Sequence, residues 1–308
     1  GILSSAFPNN RALMMSVHRA AGGLGETITP IAVGFLLLVI TWRQVLFAGF
    51  AVIAVVAIGL FFLLGRLGLN EQVANTSGRE PRAARQQVRS IGILFTDRAL
   101  PTLLLVSGLR GMADRALIFF IPLFIAQALR QDDPAITSAG VAVVVGYHLA
   151  LMSAASMAVP ILIGAISDRV GRRSVMMIAL GVMTSLMISL TVVAPNGITV
   201  MFTVLIAVLG AFRFAVTNLT QASALDIAEG RGLEGSMIGL LWGNNALFGA
   251  VSPLLLGFLV TFFAVDGLDN FGVIFPYAAA LNSIALVAAF FLPSGGPRGK
   301  LRSSAVSR

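Results

Sequence analysis

The chain has no cysteine and only two histidines, His18 and His148, among 308 residues. That excludes disulfides, thiolate nucleophiles and cysteine-ligated metals, and leaves too few ligands for a histidine-rich metal site. Charge is also scarce. Asp, Glu, Lys and Arg make up 11% of the chain, against about 25% in a soluble globular protein. A chain so poor in charge cannot maintain a water-facing surface, so its solvent is lipid. No Gly-x-x-x-x-Gly-Lys-Ser/Thr phosphate loop occurs, which removes the usual ATP site. Paired catalytic carboxylates or histidines at useful spacing near one interface are missing too, which argues against a lipid-modifying membrane enzyme. No cofactor and no enzymatic activity are expected.

What the chain has in quantity is apolar length, at 57% hydrophobic residues. Runs near 12–40, 44–65, 100–128, 138–163, 174–194, 198–222, 235–264 and 270–292 each exceed the roughly 20 residues needed to cross a bilayer as helix. Eight transmembrane helices are predicted. Spanning strands are not a contender, since they need only about 10 residues and alternate polar with apolar.

The net charge of +8 invites a nucleic-acid reading, but most of the basic residues fall in short connections between spans. Fifteen Lys and Arg lie on one side, in 66–98, 164–173, at Arg231, in the tail and at Arg11. The other side has only Arg43 and Arg130, beside Asp132, Asp133, Asp266 and Asp269. The positive-inside rule puts the first set, and both chain ends, in the cytoplasm. No nucleic-acid partner is expected; membrane lipids are. The polar stretch 66–98 reads either as a basic lipid-binding linker or as a solvated connector that fixes topology.

Between two apolar runs, residues 164–173 read Gly-Ala-Ile-Ser-Asp-Arg-Val-Gly-Arg-Arg. This resembles the signature loop of the major facilitator superfamily, Gly-x-Leu-Ala-Asp-Arg-x-Gly-Arg-Arg/Lys. Gly164, Asp168, Arg169, Gly171, Arg172 and Arg173 fall on the pattern, and Ile166 and Ser167 replace Leu and Ala. The resemblance implies a secondary transporter, with this loop as a cytoplasmic latch between outward-open and inward-open states. Gly164 is expected to let two helices approach, and Gly171 to permit a tight turn. Asp168 is expected just before the next span, where a helix N-terminus favours an anion.

Residues 11–38 also lie over 234–261 at an offset of 223, matching Met14 with Met237, Leu24 with Leu247, Pro30 with Pro253, and Gly34-Phe35-Leu36 with Gly257-Phe258-Leu259. Parallel six-helix repeats are a feature of this superfamily. By resemblance the spans correspond to family helices five to twelve. The expected organisation is an all-α polytopic fragment of a twelve-helix fold, with the first four helices absent. Residues 1–65 would hold the last two helices of the N-terminal half, 66–99 a cytoplasmic linker, 100–293 the C-terminal six-helix half and 294–308 a cytoplasmic tail. The run Gly22–Pro30 with Gly34 resembles the fifth-helix motif of drug-proton antiporters, Gly-x-x-x-Gly-Pro-x-x-Gly-Gly. It departs from that motif at Thr29 and Val33.

Six charged residues fall inside spans: Arg19, Glu26, Arg110, Asp114, Arg115 and Arg213. Each costs at least ~2.5 kcal/mol at mid-bilayer, so each needs a partner or a use. At about 1.5 Å per residue, Glu26 and Asp114 lie about 21 Å from the cytoplasmic end, Arg110 about 15 Å and Arg213 about 13 Å. Arg110 and Asp114 are four apart and share a face with Ser107. Arg213, Thr217 and Gln221 form a stripe with no acid at pairing distance on their own helix. Arg110 is therefore expected to be held by Asp114, and Arg213 to be available to substrate. Arg115 is unassigned. Substrate-binding candidates are Arg110, Arg213, Asn244 and Asn245; both asparagines read equally as helix-to-helix glue. Proton-coupling candidates are Glu26, Asp114 and His148, since a carboxylate poised between desolvation and a cation can load and release a proton. Glu26 reads equally as the partner of an arginine from an absent helix, and His148 also reads as a packing residue.

The expected function is alternating-access transport of a small solute, biased towards an anion by the intramembrane arginines, coupled to protons, in a bacterial-type inner membrane. Efflux and uptake both fit, as antiport or otherwise. The rival reading is a sensor or scaffold that keeps the fold without transporting.

Overall fold

Without water to satisfy them, backbone N–H and C=O groups in lipid must pair within their own segment, and a helix does this. The computed structural model describes residues 11–66, 92, 95, 97, 99–157, 159–228 and 233–293. Side chains are described from Gly22 onward, apart from Leu64, Ile161, Asp168 and Glu234. Nine α-helices run through these residues: α1 (Arg11–Leu36), α2 (Trp42–Arg66), α3 (Ala99–Asp132), α4 (Ser138–Ala155), α5 (Val159–Val170), α6 (Arg172–Val193), α7 (Val200–Ala228), α8 (Glu234–Phe262) and α9 (Ile274–Ala289). Short 3-10 turns at Ala194–Asn196 and Phe271–Val273 follow α6 and precede α9. Seven helical segments among the described residues are long and apolar enough to cross a bilayer: 42–63, 99–132, 138–155, 172–196, 200–228, 235–262 and 271–289. The first expected span is α1, whose 26 residues also have the length. Most of the expected linker 66–99, Arg231 and the tail 294–308 lie outside the described residues.

One expected span needs correcting. The run 138–163 is not one helix; α4 stops at Ala155 and α5 starts at Val159. Pro160 has no N–H to continue the ladder to the Ser156 carbonyl, though proline is tolerated in the first turn of a new helix. The chain tightens just before it, where Ser156 gives both its hydroxyl (2.6 Å) and its N–H (3.1 Å) to Ser153 O.

Packing shows the helix directions. Asn244 meets Leu104, Phe248 meets Gly108 and Ser252 meets Met112, so α3 and α8 run parallel. Arg110 meets Thr217, and Asp114 meets Arg213, so α7 runs against α3. Where α1 crosses α4, a Cβ on Gly146 would stand 2.4 Å from Pro30 O, and one on Gly34 would stand 3.0 Å from Ala142 O. These glycines are what permits the two backbones to touch. The same applies where α7 meets α4, since a Cβ on Gly210 would lie 2.1 Å from Met152 O. Phe124, Phe202 and Phe275 tie α3, α7 and α9 together, with ring centroids 5.2–6.1 Å apart. Pro30 is the twentieth residue of α1 and Pro253 the twentieth of α8, so the duplicated sequence segments form helices of matching layout.

Candidate functional site

A cavity of about 680 Å³ opens between α1, α3, α4, α7 and α8. Glycines supply its α1 wall at Gly22 and Gly25, beside Glu26, Thr29 and Pro30. The α3 wall carries Arg110, Gly111, Asp114, Arg115 and Ile118, and α7 contributes Arg213, Phe214 and Thr217. Leu149, Met152 and Ser153 of α4 and Trp242 and Asn245 of α8 complete it. Most of the charges predicted inside spans thus meet in one place. Arg19 is the exception, as its side chain lies outside the described set.

The pairing differs from the expected one. Arg110 Nη2 lies 3.4 Å from Asp114 Oδ2, one helical turn away, as expected. Arg213, however, also reaches Asp114, through Nε to Oδ1 and through Nη2 to Oδ2 at 3.4 Å. Arg213 is therefore not the unpaired arginine that its own helix suggested; the acid comes from α3. Its guanidinium also lies 4.8 Å over the Phe214 ring centroid. Arg110 donates to Arg213 O at 3.1 Å and to the Thr217 hydroxyl. One carboxylate thus holds two guanidiniums, and backbone and hydroxyl oxygens take up further donors. Arg115 and Glu26 are exposed on the cavity wall, and no ion pair joins either to a described residue. Three guanidiniums against two carboxylates leave the wall with one excess positive charge.

The two asparagines separate. Asn244 donates to Leu104 O at 2.8 Å and is not on the cavity wall, whereas Asn245 is on it and accepts from Ser107 Oγ at 2.8 Å. His148 also lies off the cavity. It is 3% exposed, with Nδ1 on Val144 O at 2.8 Å and Nε2 on Thr203 Oγ1 at 3.1 Å. Gln221 is not on the wall either.

A match to the model of the Major Facilitator Superfamily covers residues 1–147 and 103–306. The chain belongs to that superfamily. It is a multi-pass membrane transporter of a kind that carries small-molecule solutes. Among curated proteins, none matches the chain.

The superfamily's signature segment is not an open loop here. Residues 164–170 continue α5, and the single break falls at Gly171, whose φ of 112° only glycine takes without strain. Asp168 is consequently in the last turn of α5 rather than at the start of α6, so the helix-dipole argument for it does not hold; its side chain lies outside the described set. Among the described residues nothing stands within 4 Å of a Cβ built on Gly164, so no described helix is seated on that glycine. Arg172 pairs with Asp226 of α7, Nε to Oδ2 at 2.5 Å, and Arg173 donates to Phe290 O at 2.6 Å, just past the end of α9. Arg169 is exposed.

Hydropathy does not reveal Asp226, because the apolar run ends at 222, six residues before α7 ends at Ala228. Trp242 was missed because an aromatic in a span reads as a lipid-facing or core residue. Its position three residues before Asn245 was the available signal.

Proposed function

We propose that this transporter moves a small anionic solute through the cavity by alternating access, coupled to protons. The observation that carries the reading is the charge of the wall: Arg110, Arg115 and Arg213 outnumber Glu26 and Asp114. On a wall of a largely apolar cavity, one excess guanidinium attracts an anion and disfavours a cation. Substrate contact is assigned to Asn245, while Arg110 and Arg213, held on Asp114, line the path and set its charge, and Asn244 braces α8 against α3 behind them. Glu26 is assigned as the coupled proton carrier, because it stands on the wall with no described cation bound to it. Asp114 is second, since it is already engaged by two arginines. The excess of Lys and Arg in the linker and tail supports a cytoplasmic position for both, and the membrane assigned is a bacterial-type inner membrane. The segment 164–173, with Arg172 on Asp226, acts as the latch.

The test is reconstitution of the full-length protein in proteoliposomes containing a pH indicator. Small organic anions added under an imposed pH gradient should change the rate of proton movement, and organic cations of equal size should not. Cation-driven proton movement, or none with any anion, would overturn the reading.

A further inference from the structure

Arg115 stands apart from the other two guanidiniums of the cavity. Arg110 and Arg213 converge on Asp114, whereas no acid lies at pairing distance from Arg115 among the described residues. Its position is nonetheless built. Arg115 Cγ lies 3.0 Å, and Nε 3.5 Å, from where a Cβ on Gly249 would stand, so the aliphatic stem runs along bare α8 backbone. Trp242, Asn245 and Gly249 follow one another at three and four residues, and so share one face of α8. That face carries, in order, an indole, an amide and the rest for the Arg115 stem. Trp242 is 46% exposed, and no described ring packs on it. Ile118 of α3 and Leu149 of α4 add apolar wall. The cavity volume of about 680 Å³ is within the range of sites that enclose drug-sized ligands, roughly 300–1,000 Å³.

We propose that the solute is an amphipathic organic anion with a flat apolar body, whose acid group is held by Arg115 and whose body lies on Trp242. The proposal rests on the cavity being the solute path. A guanidinium fork binds a carboxylate, sulfonate or phosphate through two parallel hydrogen bonds. Arg115 can offer that fork without first giving up a partner. Arg110 or Arg213 would first have to give up its contact with Asp114, which is costly for a buried charge. The exposed indole supplies a rigid apolar surface at low conformational cost.

The test is equilibrium calorimetry on the purified full-length protein with two probes, naphthalene-1-sulfonate and the uncharged naphthalene-1-sulfonamide. The wild type should prefer the sulfonate by about ten-fold or more, the amount one charge-assisted contact supplies. Arg115→Gln should abolish that preference while leaving sulfonamide affinity within about two-fold. Arg115→Lys should keep part of the preference, having the charge but not the fork. Trp242→Ala should weaken both probes alike. Equal affinity of the wild type for the two probes, binding of neither, or an unchanged preference in Arg115→Gln would overturn the proposal. Loss of preference in Arg213→Gln but not in Arg115→Gln would also overturn it, by moving the anion site to the Asp114 cluster. Binding needs no gradient, so the two proposals separate. Discrimination without proton-coupled flux overturns the transport reading alone, and flux without discrimination overturns the role of Arg115 alone.

Discussion

Arg213 of α7 places both Nε and Nη2 on the carboxylate of Asp114 of α3, 99 positions earlier in the chain. Arg110 reaches the same carboxylate from one turn before it, so Asp114 is the hub of the buried cluster. The consequence is an order of mutational cost. Asp114→Ala strands two guanidiniums and should cost about 3–5 kcal/mol, the usual range for breaking a buried pair. Arg110→Ala and Arg213→Ala each leave Asp114 one cation and should cost less. Adding Arg213→Ala to Asp114→Ala should recover part of the loss. Thermal unfolding in detergent measures the order, and an Asp114 variant as stable as either arginine variant would contradict the hub.

The contact of α1 with α4 sets a second expectation. Gly146 has the Pro30 carbonyl where a Cβ would stand, 2.4 Å away. Gly146→Ala should force the two helices apart, at a cost of about 1–3 kcal/mol from overpacking. Gly22→Ala, with nothing among the described residues within 4 Å of its Cβ, is the control. Similar melting temperatures for the two variants would contradict the close contact.

The signature segment gives a third. Arg172 and Asp226 join the start of α6 to the last turn of α7. Asp226→Asn and Arg172→Gln should each slow transport while leaving membrane insertion intact. The double variant should be no slower than either alone, with a coupling on the order of 1 kcal/mol in a double-mutant cycle. Strictly additive losses would show that the two residues do not act through each other.

How much of this was legible in the sequence follows from what each feature depends on. Apolar length is a local property, so the runs at 44–65, 100–128, 174–194 and 235–264 foresaw α2, α3, α6 and α8 to within a few residues of their ends. The break between α4 and α5 was legible in principle through Pro160, but hydropathy is blind to a missing N–H. The Arg110–Asp114 pair was readable because it lies within one helix. The Arg213–Asp114 pair was not, because it depends on how α7 crosses α3. Crossing geometry likewise separates Asn244, bound to the Leu104 carbonyl, from its neighbour Asn245 on the cavity wall. The same holds for Arg115, whose place comes from the bare backbone at Gly249. The polar, glycine-bounded pattern of 164–173 suggests a loop with Asp168 before the next span, whereas the helix continues through Asp168 to Val170.

Proton-coupled solute movement through this cavity turns on Glu26. Glu26→Gln mimics a permanently protonated side chain on the α1 wall. The measurement is solute movement in proteoliposomes bearing full-length protein, made once with a pH gradient and once without. The Glu26→Gln variant should lose uphill, gradient-driven accumulation and retain exchange of solute when no gradient is present. Uphill accumulation by the variant at the wild-type rate, or loss of exchange together with accumulation, would contradict it.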